Sequence, residues 1–560
     1  MRGIRAAAAL VAFAACHGKS APLDGPADAR LEGFDMPDIV ASGGGTDLSV
    51  GAGKRAYTPS NFETYTDLNG DHKWETNEPY NDLNGNGKFD GVWLFGGARA
   101  AEGVTTDVEA RALAFVQGQV TIVIVYVDCI GLLVGDMDNI RQHPMLAGLN
   151  ITHVIVGATH AHDAPDTVGL WGPDPFTTGR EDFVINALYD AAAGAIYDAV
   201  TSAKPATMQI ASTLLINDPS NKQGLTDKWN KDIRDPVIFD PTLTIARFVD
   251  ASDPNTTIGT LVNWADHPEV AHFSSDVATV TAHYPHYLRD AIENGVTAAT
   301  SVYAAQDLAG VGGITVFVQG ALGGQIGSLS DHQVYPPGPG GVPVMDDSDA
   351  KEQAIGNNVG AKALTALQSA ESVGELPLSI VSAKFYAQMQ NTLLDTAYLI
   401  HLLGPHPVAG YDPNQPIDVG NYPWMPLRST YVQIGPLGIV TVPGELHPEL
   451  WVGGYDQSWT WGYQFYDATK PNPPNFAEAP QPPYMRDLVL AKPGVRYPVV
   501  AGLAEDYIGY IVPAYNYVLD SSDPYITQAA GDHYEEEYSL SPLVEEHAIH
   551  PVLQLLQWQP

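Results

Sequence analysis

Residues 121–128 read TIVIVYVD, and residues 153–159 read HVIVGAT. Neither run alternates polar with apolar. Both are apolar almost throughout, the pattern of strands covered on both faces. Residues 135–143 between them have helical spacing, and a strand–helix–strand order predicts a parallel βαβ unit. Working outward, the same reading predicts strands at 48–59, 208–217, 243–250, 257–264, 314–319, 379–390 and 437–443. Helices are predicted at 183–202, 284–294 and 350–370. No composition break divides the chain after residue 47. The expectation is one large α/β domain over 47–560, built on a mixed, largely parallel sheet. Pro/Gly-rich loops at 335–345, 404–424 and 470–484 are long enough to shape a cleft or lid.

The 560 residues carry 27 Lys+Arg against 65 Asp+Glu, a formal charge of −38. A field of that sign repels phosphate backbones, which excludes nucleic acid as a partner class, and it favours cations. The chain starts MRGIRAAAALVAFAACHGKSAP, a basic n-region followed by a short apolar run. That run is too short to span a bilayer and reads as a secretory signal over residues 1–16. Ala14-Ala15-Cys16 resembles a bacterial lipobox, with Phe13 where leucine is usual. The expectation is a secreted or cell-envelope protein, a lipoprotein anchored to the membrane only through Cys16, with plain secretion as the alternative. Residues 17–46, rich in Ala, Gly, Pro and Asp, read as a tether. The other cysteine, Cys129, follows an apolar run and reads as a buried small hydrophobe.

A polar insert at 60–91 holds an internal repeat: DLNGDHKWE at 67–75 recurs as DLNGNGKFD at 82–90. Asp67, Asn69, Asp71, Glu75 and Glu78 fall at positions 1, 3, 5, 9 and 12 of an EF-hand-like loop, with the Lys73 carbonyl at position 7. Asp82, Asn84, Asn86, Lys88 and Asp90 repeat the first nine positions. Alternating oxygen donors on a flexible loop suit Ca2+, which takes six to eight oxygens. The loops lack flanking amphipathic helices and resemble the tandem calcium loops of dockerin and thrombospondin type 3 repeats. A structural calcium role is expected.

Three apolar strands end in potential ligands. VIVGATHAHDAP (154–165) presents His160 and His162, which an extended strand would place on one face. TLVNWADHP (260–268) ends at His267, and IVTVPGELHPE (439–449) turns at Glu445. The segment AEDYIGYIVPAY adds Tyr507 and Tyr510. Two histidines and a carboxylate around an open position follow the logic of catalytic zinc.

In this order the motifs resemble the neutral ceramidases, secreted zinc amidases that split the amide of ceramide. GATHAHDAP, NWADHP, VPGE, EDYIGY and HYEEEYSLSP are similar to the family's successive landmarks, and VGAGKRAYTP, GVWLFGG and ARALAFV resemble its opening. The likeness runs over residues 48–540, with the calcium repeat as an insertion. The resemblance implies zinc bound by His160, His267, Glu445 and Tyr510, with His162 beside the metal to protonate the departing amine. It implies that Tyr534 polarises the substrate carbonyl, and that metal-activated water splits a linear amide in ceramide or another N-acyl lipid. Three departures are visible. Gly327 stands where the family has an active-site serine, with Ser328 adjacent. Asn217 and Asp218 stand where the family has an arginine. The family's C-terminal immunoglobulin-like domain has no counterpart here. Asp240 fits the family's spacing without an assigned role. These departures keep two alternatives open: a zinc hydrolase of an ester, cyclic amide or peptide, and a calcium-stabilised surface binding protein with a relict site.

Overall fold

The computed structural model describes residues 36–216, 230–232, 234–273, 278–297, 307–327, 334, 344 and 346–559. The signal, Cys16, most of the tether, Asn217, Asp218, Ser328 and nearly all of the 335–345 loop lie outside the described residues.

Two mixed sheets stack face to face. The larger runs in the order Ile314–Gln319, Asp253–Trp264, Thr242–Asp250, Lys204–Leu214, Leu48–Ala56, Glu109–Gln117, Val120–Val127, His153–Ala158, with Glu371–Val373 beside Lys204–Leu214. The smaller runs Ile39–Ser42, Leu378–Gln388, Trp424–Ile434, Leu437–Thr441, Tyr497–Ala501. Alternation along each strand explains the layers. In the strand Val120–Val127, Ile122, Ile124 and Tyr126 point into the core shared with Leu378, Ile380, Val432 and Ile439 of the second sheet. Val123, Val125 and Val127 point the other way, onto Leu188, Ala192 and Ile196 of the helix Asp182–Thr201. Every residue of that strand is buried because each face has its own core.

Two more helices, His283–Asn294 and Asp349–Leu367, cover the remainder of the larger sheet through Tyr284, Leu288, Ile355 and Val359. Their close approach depends on glycine. A Cβ on Gly356 would lie 2.5 Å from Tyr287 Cβ, and one on Gly360 would lie 2.4 Å from Ala291 Cβ. The helices Met485–Leu490 and His550–Gln557 close the outer face of the smaller sheet over Met485, Val489, Val552 and Leu556. The result is four layers, helix–sheet–sheet–helix.

The expectation of a largely parallel sheet is corrected in its proportions. In the larger sheet only Val120–Val127 with His153–Ala158, and Asp253–Trp264 with Ile314–Gln319, pair parallel. In the smaller sheet only Leu437–Thr441 with Tyr497–Ala501 does. A strand sandwiched between two cores is apolar on both faces whichever way its neighbours run, so composition alone overstated the parallel share. The tether is corrected as well: Ile39–Ser42, read within it, forms an edge strand antiparallel to Leu378–Gln388. The strands Trp424–Ile434 and Tyr497–Ala501 escaped the sequence reading. Pro426 and Pro498 interrupt them, and proline argues against a strand wherever its missing N–H would matter. Among the described residues no helix is long and apolar enough to cross a membrane.

Candidate metal centre

The three parallel pairs within the two large sheets are where the site lies. Each sends its chain out at a strand's carboxyl end, where α/β proteins build their ligand crevices. His160 follows His153–Ala158, His267 follows Asp253–Trp264, and Glu445 follows Leu437–Thr441. Glu445–Leu446 pairs parallel with Tyr510–Ile511, which sets Glu445 opposite Tyr510. The histidine loops are tied together. Gln319 Nε2 donates to the Thr159 carbonyl at 3.1 Å and to the Asp266 carbonyl at 2.9 Å, and the His162 N–H donates to the Pro268 carbonyl at 3.2 Å.

The strand reading of His160 and His162 is corrected here. The strand ends at Ala158, and His160 has a left-handed φ of 69°. The two imidazoles meet because of this turn, not by strand alternation: His160 Nε2 and His162 Nε2 are 3.3 Å apart.

Five donor atoms converge. His160 Nε2 lies 3.5 Å from Glu445 Oε2, His267 Nε2 lies 3.2 Å from the same oxygen, and the Tyr510 hydroxyl lies 3.3 Å from His267 Nε2. Four donors about 2.0–2.1 Å from one tetrahedral ion are about 3.3–3.4 Å from each other, so these spacings suit a zinc-sized cation. The nitrogens of His160, His162 and His267 all lie within 4.8 Å of one another. Their outer contacts agree. His160 Nδ1 donates to the Ile130 carbonyl at 2.7 Å, and His267 Nδ1 donates to the Gln325 carbonyl at 2.6 Å. A carbonyl only accepts, so each Nδ1 carries the proton and each Nε2 turns a lone pair to the centre. Burial pushes the Glu445 carboxyl up, but the His160 and His267 imidazoles beside it outweigh that and hold it well below the usual range. Its other oxygen accepts from the Tyr507 hydroxyl at 2.8 Å. Two imidazoles, a carboxylate and a phenol form a borderline nitrogen/oxygen donor set that zinc accepts.

Around this point the sequence candidates sort out. Tyr534 Oη is 3.1 Å from Tyr510 Oη, and burial pushes both phenols well above their usual range. Burial, followed by the neighbouring His160 and His267, depresses the His162 imidazole far below its ordinary value. Asp240 is taken up structurally, accepting from the Trp451 indole at 2.9 Å. Cys129 is buried and free. Gly327 is explained by its surroundings: a Cβ there would lie 2.7 Å from the His267 carbonyl, so the loop has no room for serine.

Sequence reasoning missed Glu269. It is buried, its Oε2 lies 3.6 Å from His162 Nδ1, and burial, with Glu445 and Glu352 adding, pushes it up to about 8. A lone carboxylate beside a proline carries no sequence signal until its loop is placed. Also missed was Arg234, fully buried, which donates to Glu535 at 2.9 Å and to Glu536 at 2.7 Å, anchoring the segment directly after Tyr534. An apolar wall stands next to the donors. Phe95 packs on His162 at 4.6 Å between ring centroids and on Trp171 at 4.7 Å, and Ile130, Val168, Leu170, Leu403 and Tyr507 extend that cluster.

The insert folds as two equivalent loops. In the first, Asp67 accepts from the N–H groups of Asn69, Gly70 and His72. Asp71 accepts from the Lys73 N–H, and Asn69 Nδ2 donates to Glu75. In the second, Asp82 accepts from Gly85, Asn86 and Gly87, Asn86 Oδ1 accepts from the Lys88 N–H, and Asn84 Nδ2 donates to Asp90. Glu78 reaches back to the Leu68 and Glu75 N–H groups at 2.8 and 3.0 Å. Glu63 makes the matching bonds in the other loop, to Leu83 and Asp90 at 2.8 Å each. The first loop is therefore closed by Glu78 at its own twelfth position, and the second by Glu63, upstream of both loops. Tyr65, Tyr80, Trp74 and Phe89 pack beneath them as a small aromatic core.

No family model and no curated protein matches the sequence. Solved structures do match in fold. The chain is similar to the neutral ceramidase from Pseudomonas aeruginosa, with a TM-score of 0.57 and 17% identity, over 91% of this chain and 74% of that one. It is also similar to a ceramidase complexed with C2, with a TM-score of 0.55 and 15% identity, over 91% of this chain and 74% of that one.

Proposed function

We propose that the protein is a zinc-dependent hydrolase that splits a linear amide in a ceramide or another N-acyl lipid. The observation that carries this reading is the convergence of His160, His267, Glu445 and Tyr510, at ion-sized spacings, on one buried point. The likeness to ceramidases in fold, and the apolar wall of Phe95, Val168 and Trp171, support a substrate with an acyl chain.

Bound zinc would supply Lewis acidity and bring the pKa of water towards about 7. The residues do the rest. His162, neutral in its buried site, takes the proton of the attacking water at Nε2 and returns it to the leaving amine. Tyr534 keeps its proton and donates a hydrogen bond to the carbonyl oxygen as negative charge develops there. Phe95 and Trp171 shield the imidazole from solvent and seat the acyl chain. Elemental analysis tests the reading. One zinc per chain, hydrolysis lost to a chelator and restored by zinc, and loss of both in the His160→Ala, His267→Ala double variant are the expected results. Wild-type hydrolysis in that variant would overturn it.

A second reading keeps the metal and changes the bond to an ester, cyclic amide or peptide. Gly327 favours it, since this backbone cannot carry the family's serine. Ranking acylated substrates by kcat/KM separates the two. For the insert we propose two structural Ca2+ ions. Asp67, Asn69, Asp71, the Lys73 carbonyl and Glu78 would hold one, and Asp82, Asn84, Asn86, the Lys88 carbonyl, Asp90 and Glu63 the other. Secretion with a lipidated Cys16 completes the proposal; mass spectrometry of the mature N-terminus tests it.

A further inference from the structure

Of the three histidines at the centre, one has an outer nitrogen that no carbonyl meets. We propose that Glu269 is a positioning residue for His162: its carboxyl holds Nδ1 in a hydrogen bond, leaving Nε2 turned to the centre. Only the kinetic consequence rests on the hydrolase reading above.

His162 Nδ1 and Glu269 Oε1 are both buried without a hydrogen-bond partner, although Nδ1 faces Glu269 Oε2 at 3.6 Å. Buried polar atoms left unmatched in this way are rare and costly, and a shift of about 0.6 Å turns this approach into a hydrogen bond. Both partners are held in place. The His162 N–H bonds the carbonyl of Pro268, the residue before Glu269, and the Gly327 N–H reaches the Glu269 carboxyl. Phe95 packs on the imidazole and limits its rotation. With Nδ1 turned to the acid, Nε2 points to His160 at 3.3 Å, towards the common point. His160 and His267 achieve the same orientation with backbone carbonyls.

The test is nitrogen-15 NMR of histidine-labelled protein, zinc-free and zinc-loaded, with ring resonances assigned from single His→Ala variants. In Glu269→Ala the Nδ1 resonance of His162 should move, while those of His160 and His267 stay in place. Glu269→Asp should move it part of the way back. In the zinc-loaded enzyme, Glu269→Ala should lower kcat by about 10–100-fold with KM and zinc content retained. An unmoved His162 Nδ1, a common shift of all three histidines, or unchanged kcat would overturn the inference. A wild-type protein that binds no zinc and cleaves nothing would sink the hydrolase reading, while the nitrogen shift still decides the role of Glu269.

Discussion

Glu445 is the residue on which the centre turns. Its Oε2 lies between His160 and His267 and its Oε1 accepts from Tyr507, so it links three side chains. Glu445→Gln removes the one anionic donor but keeps the shape. Zinc affinity should fall by at least about 10-fold and hydrolysis with it, while the thermal midpoint of the zinc-free protein changes little; chelator competition and a melt read the two. Gly327 supports an opposite kind of prediction. Placing a serine there, Gly327→Ser, should not improve hydrolysis. It should cost about 1–3 kcal/mol in denaturant unfolding, because the new Cβ meets the His267 carbonyl. Strand-ending motifs made His160, His267 and Glu445 legible at this scale. Glu269 was not, since its meaning comes from facing His162 across a turn whose left-handed His160 no sequence pattern announces.

At the scale of elements, the insert shows what a repeat reveals and what it hides. Spacing identified the first nine positions of each loop, but position twelve of the second loop falls on Trp93. The closing carboxylate comes instead from Glu63, upstream of both loops. The signal was present in the longer repeat, ETYTDLNG at 63–70 and EPYNDLNG at 78–85, read from glutamate instead of aspartate. This pairing of one glutamate with each loop makes a separable prediction. By calorimetry with Ca2+, Glu63→Gln should weaken the second site and Glu78→Gln the first, each leaving one site near wild-type affinity. Equal loss of both sites from either change would mean that the two loops do not bind independently. The insert also leads directly to the centre. After Phe89 and Trp93 the chain turns through Phe95, which packs on His162, and Arg99, which pairs with Asp163. Calcium removal is therefore expected to perturb the His162 ring resonances.

For the whole molecule, the apolar runs 121–128 and 314–319 revealed a buried α/β core. They could not reveal that two sheets share it, because a second sheet and a layer of helices demand the same side chains of a strand. What holds the sheets together includes a polar bridge. Glu505 is fully buried, bonds His153 of the larger sheet at 2.7 Å and the Thr430 hydroxyl of the smaller at 2.8 Å, and pairs with Arg141. Burial pushes this carboxyl up, but His153 and Arg141 outweigh it and hold it at about 2, below the ordinary 4.5. A lowered carboxyl contributes stability that is complete above its unfolded value, so this contribution is lost as pH falls from 4.5 through 2. Asp395 acts in the opposite direction. It lies in the first turn of the helix Thr392–Leu399 with both oxygens buried and unbonded, and burial raises it from 3.8 to about 8. The helix N-terminus favours its anion by less than burial opposes it. Below 3.8 both folded and unfolded chains hold the proton. Between 3.8 and 8 the unfolded chain ionises first, so stability drains as pH rises and levels off above 8. Asp395→Asn should match wild type near pH 4, pull ahead in thermal midpoint as pH rises, and hold a constant lead beyond pH 8. An offset that is the same at every pH would show that Asp395 is ionised in the folded protein and that its burial is incomplete.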